Sequence, residues 1–221
     1  MRLVDLSHTI SDGLVTYPGL PAPVITDHLT FEDSHRVYDA GTEFTIARID
    51  MVANTGTYLD VPGHRHRDGH DLSALPLERC ALLPAVVVDG APTGATEVAA
   101  FDGLEVAGTA VLVRTGWSRL FGSAEYGAPE HPFLATEAAE WLADRGAVLV
   151  GIDSVNIDET PGQGDRPVHT LLLARDVPVV EHLTGLSALP PSGATFSAVP
   201  VKVAGMSTFP VRAFAALPDQ D

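Results

Sequence analysis

Apolar positions along the chain follow two rhythms. The stretches "LPAVVVDG" (83–90), "GTAVLVRTG" (108–116), "VLVGID" (148–153) and "VPVVEHL" (177–183) are near-continuous and rich in valine, which predicts strands buried on both faces. "TEFTIARIDMVAN" (42–54) instead alternates and is rich in Ile, Val and Thr, the pattern of a further strand. "TEAAEWLADRGA" (136–147) and "VHTLLLARD" (168–176) carry helical spacing, the first with Thr136 as its expected cap and Gly146 as its stop. "RLVDLSHTI" (2–10) reads as a short opening strand, "LSALPLERC" (72–80) as a helical turn, and "TFSAVPVKVAG" (195–205) with "STFPVRAFAAL" (207–217) as a closing β segment. "TYPGLPAPVITDHLTF" (16–31) is a proline-rich loop followed by an extended segment, and 154–167 is a loop. Strand–helix–strand order from about 109 to 183 points to an α/β protein with a mixed, partly parallel sheet and flanking helices. Neither a repeat nor a linker interrupts the pattern, so residues 1–221 are read as one domain.

Charge narrows the partners. The formal net charge is -16, which argues against nucleic acid or an anionic membrane but says little about substrate. The opening residues lack the long apolar core of a signal peptide, and no run is long enough to span a bilayer, so a cytoplasmic location is expected. A single cysteine, Cys80, excludes an internal disulfide and a thiolate zinc site; its apolar flanks predict an inert buried thiol.

Dinucleotide and P-loop glycine motifs are absent, and so is the G-x-S-x-G elbow. That leaves His, Asp, Glu and Tyr, concentrated in two places. The first is "NTGTYLDVPGHRH" (54–66), where Tyr58 and Asp60 share a strand face and His64 and His66 share parity beyond the Pro62-Gly63 turn. The second is 169–182, where His169 opens an apolar helix and Glu181 interrupts a buried strand. A carboxylate in such a strand is costly unless paired, hydrogen-bonded or metal-bound, and strand C-terminal ends are where open α/β sheets bind ligands. The remaining histidines read blandly: His8, His28, His35 and His131 as surface or capping residues, His70 as a turn residue, and His182 as structural, pointing away from Glu181.

"NTGTYLDVPGH" resembles the signature H-T-G-T-H-x-D-x-P-x-H of the cyclase family, which includes bacterial kynurenine formamidases and isatin hydrolase; Thr55, Gly56, Thr57, Asp60, Pro62 and His64 match it. "VDLSHTISDGLVTYPG" resembles the family's N-terminal strand and substrate loop, with Tyr17 where tryptophan is common, and "VGIDSVNID" and "VHTLLLARDVPVVEHL" resemble later segments. The resemblance implies a swivelling β/β/α fold, a homodimer or homotetramer, and metal-assisted hydrolysis of an amide, formamide, lactam or lactone in a small substrate. It makes Asp60, His169 and Glu181 metal ligands and His64 the general acid/base, with Tyr17, Asn54 and His66 as candidate substrate contacts.

Asn54 and Tyr58 stand where the family pattern has histidines, which removes ligands from a two-metal site. Three ligands still suffice for one zinc or manganese ion. A metal-free site is the alternative, in which Tyr58, His64 and Glu181 serve a cyclase or lyase as acid/base groups. A non-catalytic small-molecule binding protein of the same fold is the third reading.

Overall fold

A computed structural model of the protein describes residues 1–160 and 164–219; positions 161–163 of the expected loop and 220–221 of the expected domain lie outside the described residues. In chain order the strands are β1 (Arg2–Asp5), β2 (Val24–Leu29), β3 (Ile46–Asp50), β4 (Tyr58–Asp60), β5 (Leu83–Asp89), β6 (Ala95–Thr96), β7 (Ala110–Arg114), β8 (Phe133–Leu134), β9 (Leu149–Ile152), β10 (Val179–Glu181), β11 (Ala194–Ser197), β12 (Thr208–Pro210) and β13 (Phe214–Leu217). The helices are α1 (Phe31–Ser34), α2 (Thr136–Asp144) and α3 (Pro167–Ala174).

Nine strands form one sheet in the order β1-β13-β11-β5-β7-β9-β10-β4-β12. The centre, β5-β7-β9-β10, is parallel, and the flanks are antiparallel. This is the mixed sheet the strand–helix–strand order implies. The parallel strands β7 and β9 are buried almost throughout, as continuous valine-rich runs demand. β5 departs from that expectation: Pro84 and Asp89 are exposed. Of the closing β segment only three short strands form, and 201–204 are irregular.

The sheet separates two apolar layers. On one face α2 (Ala138, Ala139, Leu142) and α3 (Val168, Leu172, Leu173) pack on Val111, Val113, Val150, Ile152 and Val179. On the other, Leu59, Leu112, Leu149, Val180 and Phe196 pack together. Val179 and Val180 fall into different layers because strand side chains alternate. Full burial of each large aliphatic side chain contributes about 1.5–3 kcal/mol, which fixes α3 firmly against the sheet.

Two local expectations are corrected, the Thr136 cap and the surface reading of His131, and two are refined. α2 begins at Thr136, and Ala135 occupies the cap position without a side-chain bond. The alternating stretch 42–54 does form a strand, but β3 pairs only with β2 in a separate two-stranded arm. Val24, Ile25, Ile46 and Ile49 in that arm are exposed. His131 is fully buried, its Nε2 at 2.5 Å from the Thr160 hydroxyl, and so is neither a surface residue nor a cap. "LSALPLERC" is two short 3-10 turns, Leu72–Ala74 and Leu77–Arg79. Cys80 is buried as expected, and burial pushes its thiol up to about 11. Among the described residues no helix is long and apolar enough to cross a membrane.

Candidate active site

The site forms where β4 joins the sheet. β10 pairs antiparallel with β4, placing Glu181 opposite Tyr58 and Val179 opposite Asp60. β12 pairs with the other edge of β4 and places Thr208 opposite Asp60. Tyr58, Asp60, Glu181 and Thr208 therefore meet through register alone. The approach to β4 needs Gly56: its φ is +66°, and an added Cβ would lie 2.8 Å from the Ile10 side chain. Its amide donates to the Thr16 hydroxyl at 2.8 Å.

His169 comes from α3, three and four residues before Leu172 and Leu173, so burial of those leucines turns its ring toward the sheet. Asp158 then fixes the ring. Its carboxylate accepts from the backbone amides of Val168 (2.7 Å) and His169 (3.1 Å) and from His169 Nδ1 at 2.6 Å. One buried acid thus satisfies the first-turn donors of α3 and sets the histidine tautomer. Nε2 is left facing two carboxylates, 3.6 Å from Asp60 Oδ2 and 3.5 Å from Glu181 Oε1. Burial alone would lower this imidazole, but the negative charge of Glu181, the bond to Asp158 and the nearby Asp60 outweigh it and raise it to about 10.

Each carboxylate has a distinct setting. Asp60 is fully buried; Oδ1 accepts from the Thr208 hydroxyl, while Oδ2 is buried without any hydrogen-bond partner. Glu181 accepts from the Ile157 amide through Oε1 at 2.6 Å and from the Tyr58 hydroxyl through Oε2 at 2.6 Å. Burial raises the Glu181 carboxyl, opposed by the His169 charge and reinforced by Asp60. Tyr58 is driven well above its usual value by burial and by the Glu181 and Asp60 charges, so it stays a neutral donor.

His64 occupies the short 3-10 turn Pro62–His64 that follows β4. Its Nδ1 lies 2.8 Å from Thr208 Oγ1. The single Thr208 proton is committed to Asp60, so Thr208 accepts from His64 Nδ1–H and Nε2 is left without a partner from Thr208. The ligand atoms of Asp60, His64 and His169 all lie within 4.8 Å of one another.

A cavity of about 220 Å³ opens onto this cluster, lined by Tyr17, Leu20, Asn54, Tyr58, His64, Arg65, Asn156, Arg166, His169 and Glu181. Tyr17 and Asn54 are thus at the position expected of substrate contacts. His66 is not in the lining; its ring Nε2 instead donates to the Thr170 carbonyl at 3.0 Å, because the turn after Gly63 breaks the extended parity. His182 also departs from expectation. Its φ of +56° ends the strand alternation, and its buried ring lies behind Tyr58, with Nδ1 2.8 Å from Tyr126 Oη and Nε2 3.3 Å from Tyr58 Oη. Asp158 and Thr208 were not singled out by sequence. The signals for Asp158 are an acid nine residues before α3, in a segment that reads as loop, and its place at the end of the family-like segment "VGIDSVNID".

Asp158→Ala removes the cap of α3 and the partner of His169 together. Urea unfolding should show a loss of about 3 kcal/mol, from stranded buried donors and a lost cap. A loss below about 0.5 kcal/mol would contradict this role.

The family model described as "Putative cyclase" matches residues 4–159. A kynurenine formamidase of Erythrobacter litoralis (strain HTCC2594) is 29% identical over 202 residues, covering 91% of this chain and 88% of that protein. Isatin hydrolase A from Ralstonia solanacearum superposes with a TM-score of 0.83 at 26% identity, covering 98% of this chain and 92% of that one. A structure described as a predicted metal-dependent hydrolase from Bacillus stearothermophilus superposes with a TM-score of 0.74 at 26% identity, covering 97% of each chain. By the extent of the family match and by its sheet, this chain belongs to the cyclase family, alongside these hydrolases.

Proposed function

We propose that the protein is a hydrolase that opens an amide, formamide, lactam or lactone bond in a small substrate, using one divalent zinc or manganese ion and His64 as general acid/base. The observation that carries this is Asp60 Oδ2, a buried carboxylate oxygen with no hydrogen-bond partner, 3.6 Å from Nε2 of a histidine whose Nδ1 is held by Asp158. An orphaned buried anion is expensive, and a cation is its natural complement. Asp60, His169 and Glu181 would hold the ion; Glu181 Oε1 retains a second lone pair beyond its bond to Ile157. When bound, such an ion polarises a carbonyl and brings the pKa of water toward neutrality.

The other roles belong to the chain. Thr208 orients Asp60 and His64 together, and Nε2 of His64 is the atom that would take a proton and later return it to the leaving nitrogen or oxygen. Tyr17 and Leu20 form the cavity wall, and its modest volume suits a substrate of about one ring. Neutral Tyr58 and Asn54 do not replace two histidine ligands, so the donor set fits one ion rather than two.

A second reading has an observation of its own. The Tyr58 hydroxyl donates to Glu181 at 2.6 Å, an arrangement that a metal-independent cyclase or lyase could use for proton transfer. One experiment separates the two: turnover of small aryl formamides and lactones with and without EDTA, on wild type and Tyr58→Phe. The hydrolase reading expects activity lost to EDTA, restored by Zn²⁺ or Mn²⁺, and reduced less than about tenfold by Tyr58→Phe. Activity indifferent to EDTA, with a loss of about 10²–10⁴ in Tyr58→Phe, would favour the second reading.

A further inference from the structure

The chain has 13 Lys and Arg against 29 Asp and Glu, yet two of its arginines, Arg65 and Arg166, line the cavity that opens onto His64, His169 and Glu181. Among the described residues neither has a carboxylate within ion-pair distance, whereas Arg36, Arg79, Arg114, Arg175 and Arg212 each do. They are also tied together. Arg65 Nε donates to the Thr170 hydroxyl at 2.7 Å, and that hydroxyl donates to the Arg166 carbonyl at 2.6 Å. Arg65 follows His64 directly, and Arg166 precedes α3, which carries His169. That chain of bonds ends on the Arg166 backbone, and it is the shared cavity lining that sets both arginines beside both site histidines.

Their hydrogen bonds leave capacity to spare. Arg65 uses only Nε, and Arg166 uses only Nη1, on the carbonyls of Glu159 (3.3 Å), Gly164 (3.3 Å) and Asp165 (3.2 Å). Among the described residues Arg2, Arg48, Arg67, Arg119 and Arg145 also have no ion pair, so what sets Arg65 and Arg166 apart is their place in the cavity lining. Two uncommitted planar donors converging on a cavity are suited to a carboxylate, which accepts bidentate bonds. They also place positive potential at the mouth of a protein whose net field repels anions.

We infer that Arg65 and Arg166 bind a carboxylate on the substrate, so that the enzyme selects anionic single-ring molecules and holds the scissile bond against Asp60, His64 and His169. The inference rests on the hydrolase reading for its chemistry but not for its binding step. A carboxylate held at the rim orients the other end of a short molecule inward, which is positioning by an interaction remote from the reacting atoms.

The test compares benzoate with benzamide by calorimetry, and 2-formamidobenzoate with formanilide by kcat/KM, on wild type, Arg65→Gln, Arg166→Gln and the double variant. Wild type should prefer the carboxylate member of each pair. The preference should fall several-fold in each single variant and at least tenfold in the double variant, with unchanged melting temperatures in the single variants. Equal affinity for benzoate and benzamide in wild type, or a preference untouched by all three substitutions, overturns the inference. A benzoate preference lost in the variants, with neither formamide hydrolysed, upholds the arginine pair and removes the hydrolase reading instead.

Discussion

Asp60→Asn should lower kcat/KM by about three orders of magnitude while leaving the protein as stable as before or more so. The substitution keeps the shape and can still accept from Thr208, but it removes the charge that faces His169 Nε2. Loss of a metal-binding carboxylate removes most of the carbonyl polarisation and water activation such a centre provides. Stability should move the other way. Asp60 Oδ2 is buried and unpartnered, and two other acids, Asp158 and Glu181, still face the His169 imidazolium. A site that costs folding energy and is kept for its chemistry is the pattern expected of a functional centre. Melting curves and steady-state kinetics on the same preparation measure both parts. A variant retaining more than a tenth of wild-type kcat/KM would remove Asp60 from the ligand set.

Much of this site is legible in the sequence, because the signals are local and periodic. A glutamate in "VPVVEHL" violates the pattern of a buried strand, and Tyr58 and Asp60 share a face by parity alone. What escapes depends on long-range register or on the path of a loop. Thr208 reaches Asp60 only because β12 pairs with β4 across 148 residues of chain. Asp158 has the appearance of ordinary loop polarity; nothing in periodicity announces a loop acid that folds back onto the amides of α3. His66 and His182 were misplaced for one reason: parity was carried past the end of a strand, through a 3-10 turn in one case and a left-handed residue in the other. The arm illustrates a further gap. Alternation in 42–54 correctly predicts a strand, but it does not say that β3 pairs only with β2 and leaves its apolar residues exposed.

Tyr58 enters the charge balance at the centre. Three carboxyls, Asp60, Asp158 and Glu181, surround one imidazole. One imidazolium cannot neutralise three anions, and the Glu181 carboxyl, raised above its usual value chiefly by burial, is lowered by the His169 charge and raised further by Asp60. The Tyr58 hydroxyl eases part of the deficit by donating to Glu181, with His182 and Tyr126 behind it in a buried hydrogen-bonded row. Where a second cation would need a ligand, this chain supplies a neutral hydrogen-bond donor. That substitution keeps Glu181 satisfied without a second ion.

Metal binding should therefore displace protons. His169 is raised to about 10, above all because the Glu181 charge and the Asp158 bond overcome the cost of its burial, so its Nε2 carries a proton throughout the neutral range when no cation is bound. A divalent ion at Nε2 must remove that proton, and competition makes affinity rise with pH until the imidazole itself deprotonates. Chelator-stripped protein titrated with Zn²⁺ or Mn²⁺ in buffers of differing ionisation enthalpy should release at least one proton per ion. The apparent association constant should increase about tenfold per pH unit from about pH 6 to pH 9. His169→Gln should abolish the proton release along with most of the affinity, whereas Tyr58→Phe should leave the slope unchanged, since neutral tyrosine contributes no proton to the exchange. Binding without proton release would mean that the ion avoids Nε2, and no binding at pH 8 would favour the metal-free reading, with Tyr58, His64 and Glu181 as the acid/base groups of the cavity.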